Sequence, residues 1–312
     1  MFRRQTVFVL GAGCSMPYGF PSGSELIESI VLLTLHKPTP DIFNYFGFKN
    51  EDVQRFGTDL RQSGCPSIDT FLQYRPEFLG IARLAIAQRL AGFERDEALD
   101  QRDVNYESGR VGWYHYLWEQ MLADKGKFGE NKVSFVTFNY DRSLERYLFR
   151  KLLGLHGYSD NDALEELYRI PLIHIHGSLG DERFEEFPYS KPTHTHNDIQ
   201  KIAARLKLIG EEELSNHPNF AAAVNLIEAA ERVCFLGYGF HDLNNKGLRL
   251  EEIAERDSNR KRWFATRFHM TDAEFLRKVG KLYAQFKGVS TDHVGGKTDT
   301  SLEVLRNLRI IE

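Results

Sequence analysis

Val7-Phe-Val-Leu-Gly-Ala-Gly-Cys-Ser15 is the stretch from which the rest of the chain is read. Four apolar residues, Val7 to Leu10, run directly into Gly11-Ala12-Gly13, and Ser15 follows. A short, uninterrupted apolar run is what a strand buried on both faces of a parallel sheet requires. Glycine has no Cβ, so the chain can turn sharply there and its backbone can come close to a pyrophosphate. N–H groups at the start of the next helix would then face that anion. The third glycine of the dinucleotide fingerprint is absent, so the stretch taken alone reads equally well as a plain strand-to-helix turn.

The 312 residues have room for one large domain or two ordinary ones. A hydrophobic content of 42% with 27% charged residues is that of a globular chain with a substantial core. A net charge of −4 leaves no electrostatic footprint for nucleic acid or an anionic membrane, and neither partner is expected. The apolar run after Arg3 and Arg4 is strand-length, too short for a signal-peptide core, and no segment reaches membrane-spanning length. Cys14, Cys65 and Cys234 are far apart and form no C-x-x-C pair, which argues against a disulfide framework and a cysteine zinc site. These features lead to the expectation of a cytoplasmic protein.

Along the chain, Ser22-Gly-Ser-Glu25 is a capping box, and Leu26, Ile27, Ile30, Val31 and Leu33 follow at helical spacing until His36-Lys-Pro-Thr-Pro40. Residues 41–128 read as a helical insertion without a convincing strand; Arg95 to Arg110 reads as a solvated loop. Strand character returns at Lys132–Phe138, Ile170–Ile175, Val233–Leu236 and Arg262–Phe268, with helices between them. The tail adds a helix near 272–286, a β-prone run at Val289 and a helix near 300–308. Alternating strands and helices predict parallel pairing with right-handed crossovers. The expected fold is therefore α/β, a Rossmann-like doubly wound parallel sheet formed by residues 1–40 and 129–312, interrupted by the 41–128 insertion.

In such a sheet, ligands bind in the crevice beyond the strands' C-terminal ends. Gly11-Ala-Gly13, Asn139-Tyr-Asp141, His176-Gly177 and Gly237-Tyr-Gly239 each follow a strand directly. Four polar or glycine punctuations at one sheet edge predict a single composite site.

In this order the four motifs resemble the sirtuin (silent information regulator) superfamily, which carries a G-A-G-x-S turn followed by G-I-P, then Q-N-I-D, H-G and G-T-S, each after a strand. Here they read Gly11-Ala-Gly-Cys-Ser15 with Gly19-Phe-Pro21, Phe138-Asn-Tyr-Asp141, His176-Gly177 and Gly237-Tyr-Gly-Phe240. The resemblance covers about half the chain, leaving out 41–128 and 180–218. The spellings T-F-N-Y-D and G-Y-G-F-H-D look closer to prokaryotic sirtuin-like NAD hydrolases of anti-phage defence than to protein deacetylases. No D-F-R follows Gly19-Phe-Pro21, and the 180–218 segment has no cysteine with which to build the deacetylases' zinc ribbon.

The resemblance implies NAD as substrate and no metal, with Gly11, Ala12, Gly13, Ser15, Phe20, Pro21, Gly237, Tyr238, Gly239 and Phe240 binding it. Nicotinamide leaves NAD as a neutral amide, so no general acid is needed. The enzyme has to stabilise an oxocarbenium-like ribose and admit one nucleophile. Asn139 can bind ribose hydroxyls or position water, and His176 can act as general base. Asp141 can orient the loop or meet developing positive charge, although an N-cap role serves equally. His174, two residues earlier on the same strand, is the rival histidine. His174 with His176 and His194 with His196 could pair as imidazole ligands, but nothing in the sequence brings the pairs together. Cys14 reads as a packing residue.

The expected activity is cleavage of the nicotinamide–ribose bond to nicotinamide and ADP-ribose, as the NAD-depleting effector of an anti-phage system. The alternatives are an NAD or ADP-ribose sensor, and an NAD-dependent deacylase or ADP-ribosyltransferase. Because uncontrolled cleavage would drain the cell, control by homo-oligomerisation or a separate regulatory or sensor protein is expected. Trp113, Tyr114, Tyr116 and Trp118 occupy nearby positions that one helix face cannot bury together, which predicts an exposed interface.

Overall fold

The structure, a computed structural model, describes residues 1–100, 104–105, 110–181, 183–191, 193–207, 217–256, 261–267, 270–282 and 300–307. The strands in chain order are β1 (Thr6–Leu10), β2 (Val104–Asn105), β3 (Arg110–Val111), β4 (Val133–Thr137), β5 (Leu172–His174), β6 (Arg232–Leu236) and β7 (Arg262–Ala265). Five of them form one parallel sheet in the order β5-β4-β1-β6-β7. The chain starts in the middle with β1, winds outward through β4 and β5, then returns to the other side of β1 for β6 and β7. The order reverses between β1 and β6, which is where a doubly wound sheet opens its crevice.

Side-chain alternation explains why β1 is apolar throughout. Phe8 and Leu10 enter one core, while Val7 and Val9 enter the core on the opposite face. β6 does the same, with Cys234 and Leu236 on the first face and Val233 and Phe235 on the second. The second core is closed by the helices Pro218–Ala229, Leu250–Arg256 and Asp272–Val279. The first face carries the helices Gly23–Leu35 and Ser143–His156, and the buried residues of the 41–128 insertion join the same apolar cluster. The capping box forms as expected: Ser22 accepts from the Glu25 N–H and Glu25 from the Ser22 N–H.

Three expectations need correction. The aromatic group is interior: Trp113 is 0%, Tyr114 1% and Trp118 7% exposed, with Tyr116 partly buried. One helix face does not have to bury them all, because Trp113 precedes the helix Tyr114–Met121 and its indole N–H donates to the Cys14 carbonyl (2.9 Å). Tyr114 stacks on Tyr18 with ring centroids 3.7 Å apart and meets the Ser143 hydroxyl at 2.7 Å. Segment 95–110 is not simply a solvated loop. It contains the helix Asp96–Leu99, β2 and β3 pair antiparallel across its end, and Asp96 binds Arg146 with both carboxylate oxygens. The same pairing shows that the insertion is not free of strands. Beside it, Glu94 forms a buried ion pair with Arg142. Such charges are tolerated inside only when paired and hydrogen-bonded.

Strand and helix ends differ from expectation by a few residues. β5 covers only Leu172–His174, and the helix expected near 272–286 is seen as Asp272–Val279 followed by a short 3-10 turn to Leu282. The β-prone run at Val289 lies outside the described residues. Among the described residues no helix is long and apolar enough to cross a membrane.

Candidate functional site

The two glycine turns at the switch point are locked into each other. Gly11 N–H donates to the Leu236 carbonyl (3.0 Å) and Gly13 N–H to the Gly237 carbonyl (3.2 Å). A Cβ on Gly11 would stand 2.5 Å from that Gly237 oxygen, and one on Gly13 would stand 2.9 Å from Gly237 Cα. Gly237 itself has a φ of +59°, and a Cβ there would collide with the Cys14 and Gly13 backbone. The glycines are therefore required by the approach of one turn to another, in addition to any approach of a ligand.

Beyond these turns lies a cleft of about 550 Å³, within the usual range for small-molecule sites. The first turn contributes Gly11, Ala12, Gly13 and Ser15, and the loop after it Phe20 and Pro21. Asn139 and Asp141 line it from the end of β4, His176 from beyond β5, and Gly237, Tyr238 and Gly239 from the end of β6. Of the residues expected from sequence, Phe240 alone does not line the cleft. It is 2% exposed and packs into the second core against Phe235 and Phe275, because a φ of +51° turns the chain inward there.

Asn139 is fixed by the first turn. Its Nδ2 donates to the Gly11 carbonyl (3.0 Å) and to Ser15 Oγ (2.9 Å). A carbonyl can only accept, so the amide orientation is determined and Oδ1 is the atom left for a ligand. Asp141 Oδ1 accepts from the Ser143 N–H (3.1 Å) and also meets the Ser143 hydroxyl. Burial raises the Asp141 carboxyl above its ordinary pKa, and hydrogen bonds from Ser143 and Ser15 oppose this. Asp141 thus secures the start of the helix Ser143–His156 from one residue before its N-cap, Arg142, while still facing the cleft.

The two histidines on the β5 segment differ in their surroundings. His174 Nδ1 lies 2.9 Å from the Asn139 carbonyl and Nε2 2.6 Å from Glu145 Oε1. Burial works against charge on His174, but the Glu145 carboxylate outweighs it and raises the pKa. His176 is buried, and its Nδ1 has no hydrogen-bond partner among the described residues. Burial lowers its pKa, opposed by the negative charge of Asp69. Gly177 follows with a φ of +76°, against the Arg205 carbonyl, and the His176 carbonyl accepts from Lys207 N–H at 2.7 Å. A side chain at 177 would push this strap away, which accounts for glycine after the histidine.

Sequence reasoning missed part of the lining. The helix Ile68–Tyr74, inside the insertion, contributes Asp69, Thr70 and Gln73, and the segment after Gly239 contributes His241, Asp242 and Asn244. The visible signal was Ser67, an N-cap that accepts from the Thr70 N–H (3.1 Å). That marks a helix start but says nothing of what the helix faces.

The paired-histidine ligand set does not assemble: His174 binds Glu145, whereas His196 lies 3.9 Å from Asp41 and against Tyr45. Among the described residues no group of three or more His, Cys, Asp or Glu is placed to hold a metal ion. Cys14 is buried, and burial, with the nearby Asp141 charge, raises its thiol well above the ordinary value, as suits a packing residue.

A search of curated proteins finds no match. The family comparison begins at β4, so β1 and its glycine turn lie outside it and are joined to the rest by the sheet itself. Residues 133–284 match the model of the SIR2-like domain, and with the parallel sheet and its helical insertions the chain has a sirtuin-like α/β fold carrying a SIR2-like domain, of a family that includes NAD-utilising enzymes.

Proposed function

We propose that the protein is an NAD glycohydrolase, cleaving the nicotinamide–ribose bond with water as acceptor. The observation that carries this reading is the meeting of Asn139 and His176 in one cleft at the switch point of the sheet. Asn139 is held so that Oδ1 can accept from a ribose hydroxyl or a water without adding charge. His176 has a lowered pKa, so its imidazole is neutral near neutral pH and able to take a proton. Asp141, tied to Ser143, keeps the 139–141 loop in place. The glycine turns and the Phe20-Pro21 loop are assigned to the rest of the dinucleotide.

The proposal extends to a role as the NAD-depleting effector of an anti-phage system, controlled by self-assembly or a separate sensor. Its support is the likeness of Thr137-Phe-Asn-Tyr-Asp141 and Gly237-Tyr-Gly-Phe-His-Asp242 to such hydrolases. An interface for that control has to be sought away from the interior Trp113–Trp118 segment. Incubating purified protein with NAD and resolving the products by chromatography tests the activity. Nicotinamide with ADP-ribose is expected; unchanged NAD that nevertheless binds would favour a sensor, and consumption only with an acyl-peptide or protein acceptor a transferase.

A further inference from the structure

Asp69 is a charged residue of the cleft with no part in the reading above. It sits on the insertion helix Ile68–Tyr74 and lines the same cleft as the strand ends. Its Oδ1 is buried and has no hydrogen-bond partner among the described residues. Two other residues lining the same cleft carry atoms in the same condition: His176 Nδ1 and the Tyr140 hydroxyl. Buried polar atoms left unpaired are uncommon in folded proteins and costly, and several around one cavity indicate a site whose partners arrive with the ligand.

We infer that Asp69 is the electrostatic partner of His176, a carboxylate carried by the insertion that stabilises the imidazolium formed when His176 takes a proton during cleavage. This rests on the NAD-cleaving reading and adds a positioning residue to it. In the reaction, the bond from ribose C1′ to the nicotinamide nitrogen breaks and its electron pair leaves with nicotinamide. A bond from C1′ to the oxygen of water forms, and the proton of that water passes to His176. A neutral imidazole thereby becomes a cation in a buried site, and an anion lining the same cleft lowers the cost of that change. The sheet supplies the base and the insertion supplies its counter-charge, so the site is complete only when both walls are in place.

The other groups around His176 are consistent with this assignment. Tyr140 has its ring 6.2 Å away, and burial with the Asp69 charge keeps its hydroxyl protonated. Arg83, from the helix Leu79–Leu90, acts on Tyr140. Asp141 is engaged by Ser143, and His174 by Glu145. Arg205 and Lys207 meet the His176-Gly177 segment through their backbone. His241, on the same cleft, also feels Asp69, and burial lowers its own pKa.

The test uses the full chain labelled with carbon-13 histidine, as wild type, Asp69→Asn and Asp69→Glu, with His176→Gln to assign the resonance. In Asp69→Asn the His176 titration midpoint should fall by about one unit, the size expected when a nearby charge is removed. The acid limb of kcat/KM should move down with it, while kcat at the plateau falls about tenfold and KM changes little. Asp69→Glu should keep the wild-type midpoint and restore most of kcat. A role confined to capping the insertion helix would change stability without moving the titration. An unchanged His176 midpoint in folded Asp69→Asn overturns the inference. If the wild type does not cleave NAD, the proposed activity fails, and the titration still reports whether Asp69 acts on His176.

Discussion

His174 Nε2 stands 2.6 Å from Glu145 Oε1, and this pair is built against the back of the loop that carries Asn139. It binds a residue of β5 to one in the helix Ser143–His156, with the Asn139 carbonyl on the other ring nitrogen. Both His174 nitrogens are thereby committed, whereas His176 faces the cleft with Nδ1 unpaired among the described residues.

Exchange of the two histidines for alanine should therefore separate chemistry from stability. His176→Ala should lower NAD turnover about a hundredfold or more, with little change in urea midpoint. His174→Ala should cost about 1–3 kcal/mol of stability, because it leaves buried polar partners unpaired. Its turnover, corrected for folded fraction, should fall less. Turnover assays beside urea melts decide it, and the reverse pattern would reassign the base.

The same pair makes a pH signature. The folded-state pKa of His174 is raised, burial being outweighed by Glu145. Its stabilisation is thus fully present below the unfolded value, about 6.5, and fades as pH rises through the higher folded value. The Tm difference between wild type and Glu145→Gln should be largest near pH ~5.5 and shrink by pH ~9. A difference independent of pH would contradict the ion-pair account.

Replacing glycines should distinguish turn strain from collision. Gly157 ends the helix Ser143–His156 at a φ of +58° with nothing near an added Cβ, so Gly157→Ala should cost about 1 kcal/mol. Gly237 has a nearly identical φ, but its Cβ would strike the first turn. Gly237→Ala should be far more damaging, costing more than about 3 kcal/mol and loosening Asn139 by moving Gly11. Equal losses in denaturant melts would refute the interlocked turns.

Trp113→Phe removes the N–H that the Cys14 carbonyl receives and, at a fully buried position, leaves a cavity where the second indole ring stood. A loss of about 2–4 kcal/mol is expected, from the unpaired buried acceptor together with the cavity. The native mass measured by light scattering should not change, because the indole belongs to the interior. A variant that dissociates an oligomer without losing stability would restore the interface reading.

Treatment with a strong chelator should leave turnover intact, and elemental analysis should find no stoichiometric zinc. The described residues place no three ligating side chains together. One tightly held zinc per chain would overturn this.

The parallel sheet was legible because each central strand is buried on both faces. Val7–Leu10 and Val233–Leu236 must then be continuously apolar, and the glycines that end them must admit another backbone. The positions of Asn139, Asp141 and His176 were legible for the same reason: strand ends in a doubly wound sheet converge on one edge. Strand alternation could not separate His174 from His176, since both follow the same period; Glu145, on a separate element, distinguishes them. Phe240 was misplaced because a backbone φ of +51° leaves no mark in the residue type. The aromatic segment was misjudged because helix periodicity describes one element, and Trp113 is buried by a turn nearly a hundred residues earlier in the chain. Asp69 was invisible to the sequence: an acid in the first turn of a short helix is ordinary, and only packing of the insertion onto the sheet brings it into one cleft with a histidine more than a hundred positions away.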